Sequence, residues 1–121
     1  MRAILIFLLT LVALRVDAYE IPIGYYMKHK NTREVKAYIN GVGSGYSWAN
    51  ASLQVKYKDD KSKWLYCQPD NLALTEAIYF QLLDDEIEKE QIPFSKGSIG
   101  FLGSPISSLL LNSLTRAFPC K

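Results

Sequence analysis

Between Val35 and Tyr57 the apolar side chains Val35, Ile39, Val42, Tyr46, Ala49, Leu53 and Tyr57 return at intervals of four, three, four, three, four and four residues. That is the repeat of an α-helix, sustained for roughly six turns. Asn31 and Thr32 stand where such a helix needs a cap. A helix of this length in a chain of 121 residues must bury its stripe against other elements, and no sustained strand alternation is present to supply a sheet. Three glycines interrupt it, each costing roughly 0.5–1 kcal/mol relative to alanine in a helix interior. Gly41 and Gly45 are four apart on one side, so the helix is kept and these two are expected at a close contact with another backbone or a large ring. A phosphate-cradling loop fits less well, because Gly41-Val42-Gly43-Ser44-Gly45 lacks the P-loop lysine and follows no strand.

Two further helices follow. Thr75 can cap one in which Ile78, Tyr79, Leu82, Leu83, Glu86, Ile87 and Glu90 fall on or beside one face, with Pro93 expected to end it. Ser104 and Pro105 read as the cap and first turn of another, spanning roughly residues 105 to 117, with Pro119 beyond its end. Between them, residues 93 to 104 read as a glycine-rich flexible loop. Lys56 to Lys63 reads as a solvated connection, and Gln68-Pro69-Asp70-Asn71 as a turn. Residues 19 to 30 are open between a short helix and an extended arm. The expectation is an all-α, single-domain bundle of three to five helices.

Residues 1 to 18 form a positive start at Arg2, an apolar stretch from Ile4 to Leu14 and small residues ending at Ala18, the pattern of a cleaved secretory signal. The domain is then residues 19 to 121, nearly neutral and exported, with no membrane span expected in the mature form. In an oxidising compartment an even pair of cysteines favours a bridge, so Cys67 and Cys120 are expected to form a disulfide rather than remain as buried thiols.

Several chemistries fit poorly. A net charge of +2 with interspersed signs gives no nucleic-acid footprint. One histidine and two cysteines do not make a zinc site, and no cofactor is implied. His29, between Lys28 and Lys30, reads as a surface residue rather than a catalytic base. The run Asp84, Asp85, Glu86, Glu88 and Glu90 reads as a solvated helix face rather than a carboxylate pair for acid–base work. Asn50-Ala51-Ser52 matches a glycosylation acceptor by chance, and Trp48 and Trp64 are both expected in the core. No catalytic residues are assigned, and the chain is not expected to be an enzyme.

Tyr38-Ile39, Gly41 and the run Gly45-Tyr46-Ser47-Trp48-Ala49-Asn50-Ala51 resemble the first-helix motif of the Rap/Tai immunity family, which protects bacteria against type VI secretion amidases. Tyr66-Cys67-Gln68-Pro69 with Asn71-Leu72-Ala73-Leu74-Thr75 resembles that family's cysteine-bearing turn, and Ala117-Phe118-Pro119-Cys120 its closing block. The likeness covers roughly residues 33 to 120. It implies packing roles for Tyr38, Gly41, Gly45, Tyr46, Trp48, Ala49, Pro69, Asn71, Leu74, Thr75, Phe118 and Pro119.

The resemblance also implies a periplasmic immunity protein with an internal disulfide, often dimeric, that occludes the active site of a peptidoglycan amidase effector. The connection from Pro93 to Ser104 looks longer and richer in glycine than the family pattern. Its apolar residues Phe94, Ile99, Phe101 and Leu102 are the expected effector contacts, projecting between Gly97, Gly100 and Gly103. The alternative function is a generic periplasmic stress chaperone or assembly helper on the same scaffold.

Overall fold

A computed structural model describes residues 19–94 and 99–121; the expected export signal lies outside the described residues, as do residues 95–98 and the side chains of 91–94 and 99. Five α-helices are present in this part of the chain: α1 (Ile23–His29), α2 (Arg33–Lys56), α3 (Glu76–Phe94), α4 (Ile99–Gly103) and α5 (Ile106–Ala117), with a single 3-10 turn at Lys61–Lys63. The fold is all-α and closed by one disulfide, as expected.

Thr32 starts the long helix. Its hydroxyl oxygen accepts from the Val35 amide at 3.4 Å and its hydroxyl donates to the His29 carbonyl at 2.8 Å, so one side chain both caps α2 and ties down the end of α1. Along α2 the buried positions are Val35, Ile39, Gly43 and Asn50, with Tyr38, Val42 and Tyr46 partly buried beside them. The glycine expectation is corrected here. Gly41 and Gly45 lie in the helix, but a Cβ on either would meet nothing within 4 Å, whereas one on Gly43 would overlap the ring of Tyr79. The core line runs from Ile39 through Gly43, one turn on, and that is where a ring needs the space. Trp48 is also corrected: it is 77% exposed, because it projects from the side of α2 opposite that line. Trp64 is partly buried, its indole N–H donating to the Tyr57 carbonyl at 3.0 Å over the end of α2.

Helix α3 packs against both α2 and α5, α2 also meets α5, and α1 lies on α4. The Thr75 carbonyl accepts from the Tyr79 amide at 3.1 Å, which places Thr75 at the cap of α3. This helix carries Pro93 within its final turn and ends at Phe94, one residue later than expected. Proline there forfeits the bond its N–H would make to the Lys89 carbonyl, so this last turn is held by one hydrogen bond fewer. Residues 99–103 form the short helix α4 where a flexible loop is expected. Burial of Phe101 orders it, and Gly24 lets α1 approach: a Cβ there would sit 3.3 Å from the Leu102 carbonyl oxygen.

The start of α5 is also shifted. Pro105, with extended backbone, occupies the cap position and no side chain caps the helix. Ser104 instead donates its hydroxyl to the Gly100 carbonyl at 3.1 Å and offers its own carbonyl to the Ile23 amide at 2.9 Å. The Ile106 amide completes an isolated antiparallel bridge by donating to the Ile21 carbonyl at 2.8 Å. Residues 19–30 thus use both options, an extended lead and then a helix. Ile106, Leu109, Leu110 and Leu114 face a core shared with Tyr26, Ile39, Tyr66, Tyr79 and Leu83. Beyond α5, Cys120 bridges to Cys67 across 53 residues with a Cα separation of 5.0 Å, a loop for which chain entropy gives about 4 kcal/mol. Among the described residues no helix is long and apolar enough to cross a membrane.

The glycines give a sign test. Gly43→Ala should destabilise by about 1–3 kcal/mol through overpacking, whereas Gly41→Ala and Gly45→Ala should each stabilise by about 0.5–1 kcal/mol. Urea titration of the three variants checks the order.

Candidate functional site

The three sequence blocks are linked in series, the first to the second through Asn50 and the second to the third through Tyr66 and Cys67. Asn50, buried on α2, accepts from the Leu65 amide at 2.9 Å and the Tyr66 amide at 3.3 Å through Oδ1, and donates from Nδ2 to the Tyr66 carbonyl at 2.9 Å. These residues belong to no helix, so their backbone groups have no ladder of their own and need a side-chain partner. With the segment held there, the Tyr66 ring lies 6.4 Å from that of Phe118, the Cys67 amide donates to the Phe118 carbonyl at 2.8 Å, and the disulfide closes beside them. Ser47, one turn before Asn50, shares hydrogen bonds with the hydroxyls of Tyr66 at 3.3 Å and Tyr79 at 3.2 Å. The turn expected at residues 68–71 is present one residue later, with the Leu72 amide donating to the Pro69 carbonyl at 3.0 Å.

An open cleft of about 450 Å³ runs along this junction, lined in part by Ser47, Asn50, Gln54, Gln68, Asp70 and Leu74. Most of its polar wall is already committed within the chain: Asn50 to the backbone of Leu65 and Tyr66, Ser47 to the Tyr66 and Tyr79 hydroxyls, and the Gln68 amide nitrogen to the Leu72 carbonyl at 2.8 Å. Asn50 is a structural residue of this junction, a role the apolar repeat gave no sign of. Its amide nitrogen, the atom that a sugar would occupy, is spent on the Tyr66 carbonyl.

Two carboxylates of the acidic run are structural, correcting the view of a wholly solvated face. Asp84 accepts from the Tyr26 hydroxyl at 3.0 Å and pairs with the Lys30 ammonium at 2.8 Å, joining α1 to α3. Glu86 is 2% exposed in side chain, and Arg116 Nη1 on α5 lies 2.7 Å from its Oε1 and 3.8 Å from Glu90 Oε1. No aligned hydrogen bond reaches Glu86 Oε1, so that contact is one of charge. Both carboxylates point at neighbouring helices because α3 is packed on more than one side. Asp85 and Glu88 are exposed. His29 is exposed at the end of α1, its ring 4.3 Å from that of Tyr25. Among the described residues no three His, Cys, Asp or Glu side chains gather as metal ligands.

The motif residues divide between core and surface. Tyr38, Tyr46, Leu74 and Phe118 are partly buried against the core. Gly41, Gly45, Trp48, Ala49, Pro69, Asn71, Thr75 and Pro119 are exposed, so packing does not account for them. Of the expected effector contacts, Phe101 is turned inward at 9% exposure and Leu102 outward at 49%. Phe101 therefore belongs to the core and is corrected as a projecting anchor. The side chains of Phe94 and Ile99 lie outside the described set.

Fold and site together define a small all-helical domain with one disulfide and a polar cleft beside it. No protein-family model, no curated protein and no solved structure matches the chain.

Removing the central amide tests the junction. Asn50→Ala leaves two amides and a carbonyl without partners and should cost about 2–4 kcal/mol. Denaturant unfolding measures the loss, and faster hydrogen exchange at Leu65 and Tyr66 locates it.

The tyrosines give a pH test. Burial raises the hydroxyl pKa values of Tyr26, Tyr46 and Tyr66; the Asp84 charge adds to it at Tyr26 and the Glu20 charge at Tyr46, while the Ser47 hydrogen bond opposes it at Tyr66. The unfolded chain loses these protons first, near the ordinary value of 10.0, so stability should fall as pH rises beyond that point. Absorbance titration at alkaline pH should show these groups ionising late, together with unfolding, and Tyr26→Phe should flatten the loss.

Proposed function

We propose that the mature domain is a periplasmic immunity protein, exported by a cleaved signal, that binds a type VI secretion peptidoglycan amidase and occludes its active site without turnover of its own. The observation that carries this reading is that the three blocks resembling the Rap/Tai family come together in space. Asn50 of the first block binds the backbone of Tyr66 in the second, and the second is joined to the third by the Cys67–Cys120 bridge and the Cys67–Phe118 hydrogen bond. The three blocks thus form one connected part of the fold, as a shared family motif would. The disulfide is compatible with an oxidising compartment. Among the expected contacts whose side chains are described, Leu102 is the one available to a partner.

The test is hydrolysis of peptidoglycan by a co-encoded amidase, measured with increasing mature protein. Stoichiometric inhibition is the expected result. Leu102→Asp should weaken inhibition without changing the melting temperature. Phe101→Ala should instead lower stability by about 3 kcal/mol, the loss typical of a buried ring. Absence of binding to any co-encoded amidase would turn the reading to the periplasmic helper.

A further inference from the structure

Three tyrosines meet where the extended lead joins the first two helices. Thr32 ties the end of α1 to the start of α2, and on α2 Glu34, Val35 and Tyr38 share one side, Tyr38 lying one turn beyond the other two. The lead is fixed on the last helix beside them, the Ile21 carbonyl accepting from the Ile106 amide at 2.8 Å and the Glu20 carboxylate from the Ser107 hydroxyl at 2.9 Å. An open cleft of about 350 Å³ results, lined by Tyr19, Ile21, Tyr25, Glu34, Val35 and Tyr38. Ile21 and Val35, both buried, form its floor. The His29 ring, outside the lining, lies 4.3 Å from that of Tyr25 and restrains it.

The chemistry of this lining is one-sided. A tyrosine ring is negative on its face, and here three of them are joined by a carboxylate, with no lysine or arginine in the lining. Among the described residues Glu34 takes part in no ion pair, and Lys30, four residues before it, is committed to Asp84 on α3 at 2.8 Å. Electron-rich rings, an unpaired carboxylate and an apolar floor suit an alkylated ammonium group. Its methyl groups lose little on leaving water, and both rings and carboxylate attract its charge. A bare ammonium would turn N–H donors toward Ile21 and Val35, where nothing accepts them. We propose that this cleft binds a small alkylated ammonium solute of net positive charge, of the choline type, with its methyl groups among Tyr19, Tyr25 and Tyr38 and its charge facing Glu34. A phosphate-bearing headgroup fits less well, because its phosphate would enter beside a negative charge with no cation in the lining to receive it. Because the cleft is open to water, binding falls in the millimolar range.

The test is a titration of the mature protein followed through the ring resonances of its tyrosines, with three probes: choline, its neutral isostere in which carbon replaces the ammonium nitrogen, and phosphocholine. Choline should move the resonances of Tyr19, Tyr25 and Tyr38 saturably, and the other two probes should bind roughly tenfold more weakly. Glu34→Gln, at an exposed position, should weaken choline about threefold while leaving the isostere and the melting temperature unchanged. Tyr25→Leu keeps an apolar wall but removes a ring, and should weaken choline more than the isostere. Equal affinity for choline and its isostere, tighter binding of phosphocholine, a Glu34→Gln variant that binds choline as the wild type does, or no saturable shift at the three rings overturns the proposal.

Discussion

The hydrogen bonds from Asn50 to the backbone of Leu65 and Tyr66 are the constraint on which the rest of the structure depends. Residues 57–75 connect the two longest helices without belonging to either, and buried peptide groups in such a connection need partners. A primary amide is suited to the task, because its oxygen can take two amides while its nitrogen supplies the neighbouring carbonyl. Aspartate there would lack the donor, and leucine would lack both functions. Once the segment is fixed, the Tyr66 ring fills the space beside Phe118, and Cys67 is delivered to Cys120. The covalent bridge thus lies next to a polar junction that fixes the segment carrying Cys67.

Electrostatics then joins the helices pairwise. Asp84 holds α1 through Tyr26 and Lys30, and Glu86 holds α5 through Arg116. The two pairs differ in character. Lys30 and Asp84 keep much of their hydration, with side chains 39% and 44% exposed, so their attraction is screened and modest. Glu86 is withdrawn from water while Arg116 stays largely in it, so the pair restrains the relative placement of α3 and α5 more than it stabilises them.

Much of the architecture was legible from periodicity. The apolar repeat from Val35 located α2, Thr32 located its start, and the even cysteine count located the bridge. What periodicity blurred was phase. The residues spaced for one continuous stripe were Val42 and Ala49, whereas the deepest line runs through Gly43 and Asn50, neither of which counts as apolar. A glycine four residues after Ile39 and an asparagine seven residues further on were the available signal. Reading only apolar letters hid it, and the close-contact role passed to the wrong pair of glycines. The acidic run was misjudged for a related reason: charge predicts solvent on a helix with one packed face, but α3 has neighbours on several sides. The short helix α4 was illegible because glycine-rich composition argues for coil, and the burial of Phe101 that orders it is a long-range contact.

The bridge between Pro22 and Pro105 bears on how the protein behaves when crowded. Two extended segments pair there, and a pair of strands is ordinarily a template on which further chains can add. Here the two facing positions are both proline, with no N–H to offer, and the neighbouring donors Ile23 and Ile106 are already committed to Ser104 and Ile21. A helix begins directly after each proline, so the pairing does not lengthen past them. The fold joins the segment before its first described helix to its last helix by a β-type contact that offers a further strand no proline N–H to bond.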